Sequence, residues 1–203
     1  DRLNDLETTF HRSFPDFWVD EKRRIRMKTA RVSLSESRDS DSVSLLISIM
    51  VRFPQIGTVK IDSKKQVLWL NFMLTQSVTA EEIETFQLQM INSLRAYHHI
   101  TKQAPTVCRI ETKQPYERFC LMSIGRDLSS LTKDELSLII TLLSEHFRDR
   151  ILLDESEFIA EVIDEFGIPD DFIDSILESV KYQPTPKNLT ALRENGRVLV
   201  FSK

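Results

Sequence analysis

Glycine is scarce in this chain, with four in 203 residues. Gly57 and Gly125 flank apolar runs, and Gly167 and Gly196 fall where turns are expected. None is left for the glycine-rich loop that lets backbone N–H groups close on a phosphate, so a P-loop or dinucleotide fingerprint is excluded. Cysteine is scarcer still: Cys108 and Cys120 are the only two, and they form no C-x-x-C pair. That excludes a secreted disulfide framework and the usual cysteine-pair zinc site. No apolar run approaches the ~18–20 residues that cross a bilayer, and the first residues lack a signal-peptide pattern. A cytoplasmic protein without membrane contact is therefore expected.

The chain does contain an ordinary share of apolar residues (41%) and of charged ones (29%), which excludes disorder and a continuous coiled coil. Its formal charge of −4 is unevenly spread. Positive charge gathers between Lys22 and Arg31, and negative charge between Asp154 and Glu178. Such asymmetry marks either two functional surfaces or two modules that complement each other.

Leu3, Leu6, Phe10 and Phe14 recur at helical spacing and end at Pro15, so an amphipathic N-terminal helix and arm is expected over residues 1–22. Burial of each such side chain is worth ~2–3 kcal/mol, so these aromatics, with Phe17 and Trp18, are expected to dock on the chain or on a partner. Residues 24–34 read as a strand with one bulge, and residues 43–53 as a buried helix stopped by Pro54. Residues 59–62 and 67–74 flank a polar turn as a hairpin. Thr79 and Glu82 form a capping box before the stripe Ile83, Phe86, Met90, Leu94 and Tyr97. Strands are expected over 106–112 and 118–124, around a turn at 113–116. A second capping box, Thr132 with Glu135, opens a helix that turns Leu136, Ile139, Ile140, Leu143 and Phe147 inward. Two acidic helices follow over 157–166 and 169–181, and Asn195-Gly196 between apolar runs signals a terminal β-hairpin. No internal repeat is evident.

From residue 24 to residue 112 the order strand, helix, strand, strand, helix, strand resembles the ferredoxin-like plait in topology, and in topology alone. The expected fold is thus α+β. It has a ferredoxin-like split βαβ core over 23–125, with helices on one face of an antiparallel sheet and an added hairpin and helix. A helical, acidic module over 126–203 ends in a β-hairpin. That plait hosts many unrelated activities, so it assigns none.

Period-two alternation sends Leu68, Leu70, Phe72 and Leu74 to one side of their strand and Val67, Trp69, Asn71 and Met73 to the other. In a plait the strand of residues 24–34 is the central neighbour, so Arg24, Arg26 and Lys28 are expected beside Trp69 and Met73 on the outer side. Basic residues next to an indole suit nucleic-acid stacking, but the RNA-recognition signature is absent and the pI near 5.7 opposes phosphate binding. An apolar outer side is better read as covered by protein. The second candidate surface is acidic: Glu161, Asp164, Glu165, Asp171 and Asp174, in a stretch that fits no EF-hand spacing.

His98 and His99, with Cys108 and Cys120, are a candidate metal cluster if the two thiols face each other across a hairpin. Their alternation with apolar residues reads instead as core packing. Ser130-Leu131-Thr132-Lys133 matches S-x-x-K but lacks the companion motifs of penicillin-recognising enzymes and coincides with the capping box. No catalytic residue, metal or cofactor is assigned. The expected function is a non-enzymatic regulatory or assembly module acting through protein–protein contacts or self-association. Alternatives are a weak RNA-binding domain on the basic, Trp-bearing sheet face, and a ligand sensor or enzyme with a pocket between modules.

Overall fold

A computed structural model describes residues 37–75, 78–116, 119–153, 171–182, 186–194 and 197–202. All of them lie in the unit that runs from Leu34 to Lys203. The N-terminal helix and arm, the strand of residues 24–34 and the first acidic helix lie outside the described residues.

The described fold is α+β: four helices and one open six-stranded antiparallel sheet. Helix α1 (Ser37–Arg52) begins inside the polar stretch and stops before Pro54, whose ring cannot continue a helix. Strands β1 (Thr58–Asp62) and β2 (Val67–Thr75) form the expected hairpin. Asp62 shapes its turn by accepting the N–H groups of Lys64 and Lys65 at 3.1 Å each. Helix α2 (Ala80–Thr101) is capped by Thr79, whose hydroxyl accepts the Glu82 N–H at 3.2 Å. Strands β3 (Cys108–Tyr116) and β4 (Phe119–Asp127) make a longer hairpin than expected, with a bulge between Lys113 and Tyr116. Helix α3 (Lys133–Phe147) is capped in the same way by Thr132 and runs into a 3-10 turn, Arg148–Arg150. Helix α4 (Phe172–Tyr182) precedes the closing hairpin of β5 (Leu189–Glu194) and β6 (Arg197–Ser202).

Strand order is β3-β4-β2-β1-β5-β6. Three sequence-local hairpins lie side by side, joined where β4 pairs with β2 and where β1 pairs with β5. The split βαβ order is not the one described. Strand β2 has β4 along one edge and β1 along the other, and its last residues are bridged through Leu74 to Ile151. No edge of β2 remains for residues 24–34 as a neighbour. The physical reason is that an antiparallel partner was available from the second ββα segment, whose strand matches β2 over all nine residues. The terminal hairpin, expected in a separate module, extends this same sheet through β5.

One side of the sheet carries the core. Val59 and Ile61 of β1, Leu68, Leu70, Phe72 and Leu74 of β2, and Cys120, Met122 and Ile124 of β4 meet the apolar faces of the helices. Helix α1 contributes Leu45, Leu46, Ile49 and Met50, and α4 contributes Ile173, Ile176, Leu177 and Val180. The inward stripe expected on α3 is buried in full. On α2 the last buried position is His98 rather than Tyr97. The β5 residue Arg193 also points to this side and donates from Nη2 to the Met50 carbonyl at the end of α1.

Candidate functional site

Alternation along β2 falls as the sequence indicates, with the leucines and Phe72 under the helices and Val67, Trp69, Asn71 and Met73 on the opposite, outer side. Register then fills that side from the other strands: Leu121, Ser123 and Gly125 of β4, Lys60 of β1, Leu192 of β5, and Leu199 and Phe201 of β6. Trp69 stands directly opposite Gly125. A Cβ at position 125 would lie 2.8 Å from the indole, so the ring rests against bare backbone. Ser123 donates its hydroxyl to Asn71 Oδ1 at 2.7 Å, and Asn71 Nδ2 donates to the Thr58 carbonyl at 3.2 Å. Val67, Met73, Leu121 and Leu192 are each less than a tenth exposed, and Trp69 is half-buried. This side is therefore apolar but already largely out of water. Of the expected sheet-face residues the structure joins Trp69 and Met73; Arg24, Arg26 and Lys28 lie outside the described residues.

The polar chemistry is concentrated on the helix side. Arg126 continues the inward parity of Cys120, Met122 and Ile124 and is fully buried. Its Nε donates to Glu135 Oε1 and its Nη2 to Glu135 Oε2 at 2.9 Å. Nη1 reaches the Val107 carbonyl at 2.6 Å and Asp127 Oδ1 at 2.5 Å. Asp127 also accepts from the Val107 N–H, the Ser129 and Ser130 hydroxyls and the Ser130 N–H. Burial works against an ionised Asp127. It is outweighed by the hydrogen bonds from Ser130, Val107 and Ser129 and by the Arg126 charge, which hold the carboxyl well below the usual range. His98 Nε2 lies 3.2 Å from Glu135 Oε1, within ion-pair range but not aligned as a hydrogen bond.

A second cluster mirrors the first at the other end of the helix pair. Glu82, at the start of α2, is bound by both Nη groups of Arg150 and lies 3.7 Å from His146 near the end of α3. The Arg150 hydrogen bonds lower its carboxyl below the ordinary value. Each capping-box glutamate thus meets a histidine in the last turn of the other helix. The helix dipoles favour the two glutamates here, since anions gain at helix N-termini. Both clusters clasp elements together, and every carboxylate in them already has partners.

The thiols and the acidic surface offer little else. Cys108 faces Arg126 and Cys120 faces Leu74, because the strands run on until Tyr116 pairs with Phe119 instead of turning at 113–116. Facing cysteines are thus corrected. Both are free, Cys108 exposed and Cys120 buried, and burial raises the pKa of the Cys120 thiol. His99 is exposed, away from the buried His98. Among the described residues no group of three or more His, Cys, Asp or Glu side chains is placed to hold a metal. Of the expected acidic face, Glu161, Asp164 and Glu165 lie outside the described residues. Asp174 accepts the Lys133 N–H at 3.0 Å and so closes the first turn of α3, and Asp171 is exposed at the start of α4.

Two features escaped sequence reasoning. The buried Arg126–Glu135 pair left only one signal, the parity of Arg126 with three core residues, and none for its carboxylate partner on α3. The other is the outer edge of β6. Register places the backbone groups of Arg197, Leu199 and Phe201 toward β5, because Glu194 and Arg197 close a two-residue loop as a hydrogen-bonded pair. The N–H and C=O groups of Val198, Val200 and Ser202 therefore point away from the sheet, and among the described residues no strand pairs with them.

No protein family, no curated protein and no solved structure matches this chain. Fold and site together define a class: an α+β protein with an open antiparallel sheet, interlocked polar clusters inside and, at β6, an apolar edge without a strand partner among the described residues.

Proposed function

We propose that this chain is a non-enzymatic assembly module that binds protein by adding a strand to the β6 edge. The observation that carries this reading is the composition of that edge. Val198, Leu199, Val200 and Phe201 run without a charge, a proline or a bulge, while their outward backbone groups lack a strand partner among the described residues. Natural sheets normally blunt such edges. The opposite edge, β3, does so with Arg109, Glu111, Lys113, a bulge and Pro115.

Strand addition derives its affinity from main-chain hydrogen bonds and its selectivity from alternate side chains. Cytoplasmic residence belongs to the same reading, supported by two free thiols that suit a reducing compartment. Proline at position 200 removes an outward donor while leaving the β5–β6 ladder intact. Proteins that co-purify with the wild-type chain and are lost from a folded Val200→Pro variant are the expected result. An identical set from both chains overturns the reading.

A further inference from the structure

We propose that the strand added to β6 is β6 of a second copy, paired antiparallel about a two-fold axis through Val200. This rests on the strand-addition reading and specifies its partner.

The register follows from the backbone. Only Val198, Val200 and Ser202 present outward donors and acceptors, so these residues must form the hydrogen-bonded pairs. An antiparallel two-fold that matches them places Val200 opposite the partner subunit's Val200 and Val198 opposite the partner subunit's Ser202. Each pair exchanges two hydrogen bonds, and the three pairs satisfy all six outward groups of each strand.

Side chains agree with that register. On the helix side, Val200 meets its own symmetry mate, and both belong to the packed core fringe. On the outer side, Leu199 stands opposite the partner subunit's Phe201, and Phe201 opposite the partner subunit's Leu199. These are non-hydrogen-bonded pairs, whose side chains approach most closely. Four half-buried apolar side chains close over one another, and no like charges oppose each other between Val198 and Ser202. A shift by one residue would leave the donors of one strand facing inward groups of the other, and a shift by two keeps only two of the three hydrogen-bonded pairs, so the register through Val200 satisfies the most groups.

The joint also repeats what the sheet does twice internally. Hairpins already meet edge to edge at β4–β2 and at β1–β5, both antiparallel. A β6–β6 joint is a third of the same kind and makes one continuous twelve-stranded sheet from two copies of six.

The test measures mass by light scattering across protein concentration, for the wild-type chain and for Val200→Pro. The expected mass rises from 23.7 kDa toward twice that value. Val200→Pro weakens association about tenfold or more, because one donor per copy is lost, with the circular dichroism of the folded chain retained. The register is read separately. Leu199→Cys and Phe201→Cys chains, each also carrying Cys108→Ser, are mixed and oxidised, and a disulfide is expected in the mixture but in neither chain alone.

A wild-type chain that keeps the monomer mass at the highest concentration reached overturns self-pairing. If Val200→Pro still loses a co-purifying protein, strand addition survives with a different partner. A dimer that ignores Val200→Pro and gives no mixed disulfide overturns both the register and the use of this edge.

Discussion

At the scale of single residues, the closest fit in the sheet is Gly125 under Trp69. Alanine at 125 forces the indole off its seat, since its Cβ would come within 2.8 Å of the ring. Gly125→Ala is expected to cost about 1–3 kcal/mol. In a Trp18→Phe background it should also shift the emission of Trp69 toward that of a wetter indole. Pairing it with Trp69→Leu should shrink the cost, and a double-mutant cycle with no coupling would refute the contact. Asp127 gives a pH-dependent counterpart. Its carboxyl titrates far below the ordinary value near 3.9, so the stability it adds is complete above that value and is lost as pH falls below it. Asp127→Asn is expected to lower unfolding free energy by about 2–3 kcal/mol near pH 6, from loss of charge-assisted hydrogen bonds. Measured by urea at pH 3, the gap between the two chains should narrow. An equal gap at both pH values would show that folding does not lower the Asp127 pKa.

At the scale of elements, two ββα segments repeat, and their helix caps show it most directly. Thr79 and Thr132, with Glu82 and Glu135 three positions on, stand at equivalent places after β2 and β4. The two caps were legible in the sequence because a capping box is a local pattern of side chains against nearby N–H groups. So were the alternation of β2, the inward stripe of α3 and the closing β5–β6 hairpin, each set by neighbours within a few residues. The partner of β2 was not legible. Both the expected strand and β4 offer an apolar alternating face, and only long-range pairing decides between them. Arg126 was hidden for a related reason: an arginine in core register reads as an end of strand until its carboxylate, on another helix, is known. The caps themselves differ in one respect. Thr132 also shares a hydrogen bond with the Tyr97 hydroxyl at 2.8 Å, whereas the Thr79 side chain serves the Glu82 N–H. Thr79→Ala is expected to cost about 1 kcal/mol, and Thr132→Ala about 1 kcal/mol more, since Tyr97 is left without that partner. In a Tyr97→Phe background the difference should vanish; if it persists, the hydroxyl pair adds nothing.

At the scale of the whole molecule, the sheet is three hairpins whose local pairings are cheap and whose joints are not. The β1–β5 joint brings Thr58 beside Leu192, so a long chain must close before that pairing contributes, which slows folding and leaves edges open meanwhile. Once formed, the sheet treats its two ends differently. The β3 end is charged, bulged and interrupted by Pro115; the β6 end is apolar and regular. Under the strand-addition reading proposed above, pairing takes place at the smooth edge. If that pairing is between copies, unfolding is linked to dissociation, and stability must rise with protein concentration. For a chain of this length, each tenfold increase in concentration is expected to raise the melting temperature by about 1–3 °C. Val200→Pro should show this rise only at concentrations about tenfold or more above those the wild-type chain needs. Differential scanning calorimetry on both chains checks this, and a concentration-independent midpoint for the wild type would show that the β6 edge is not closed by a second copy in the native state.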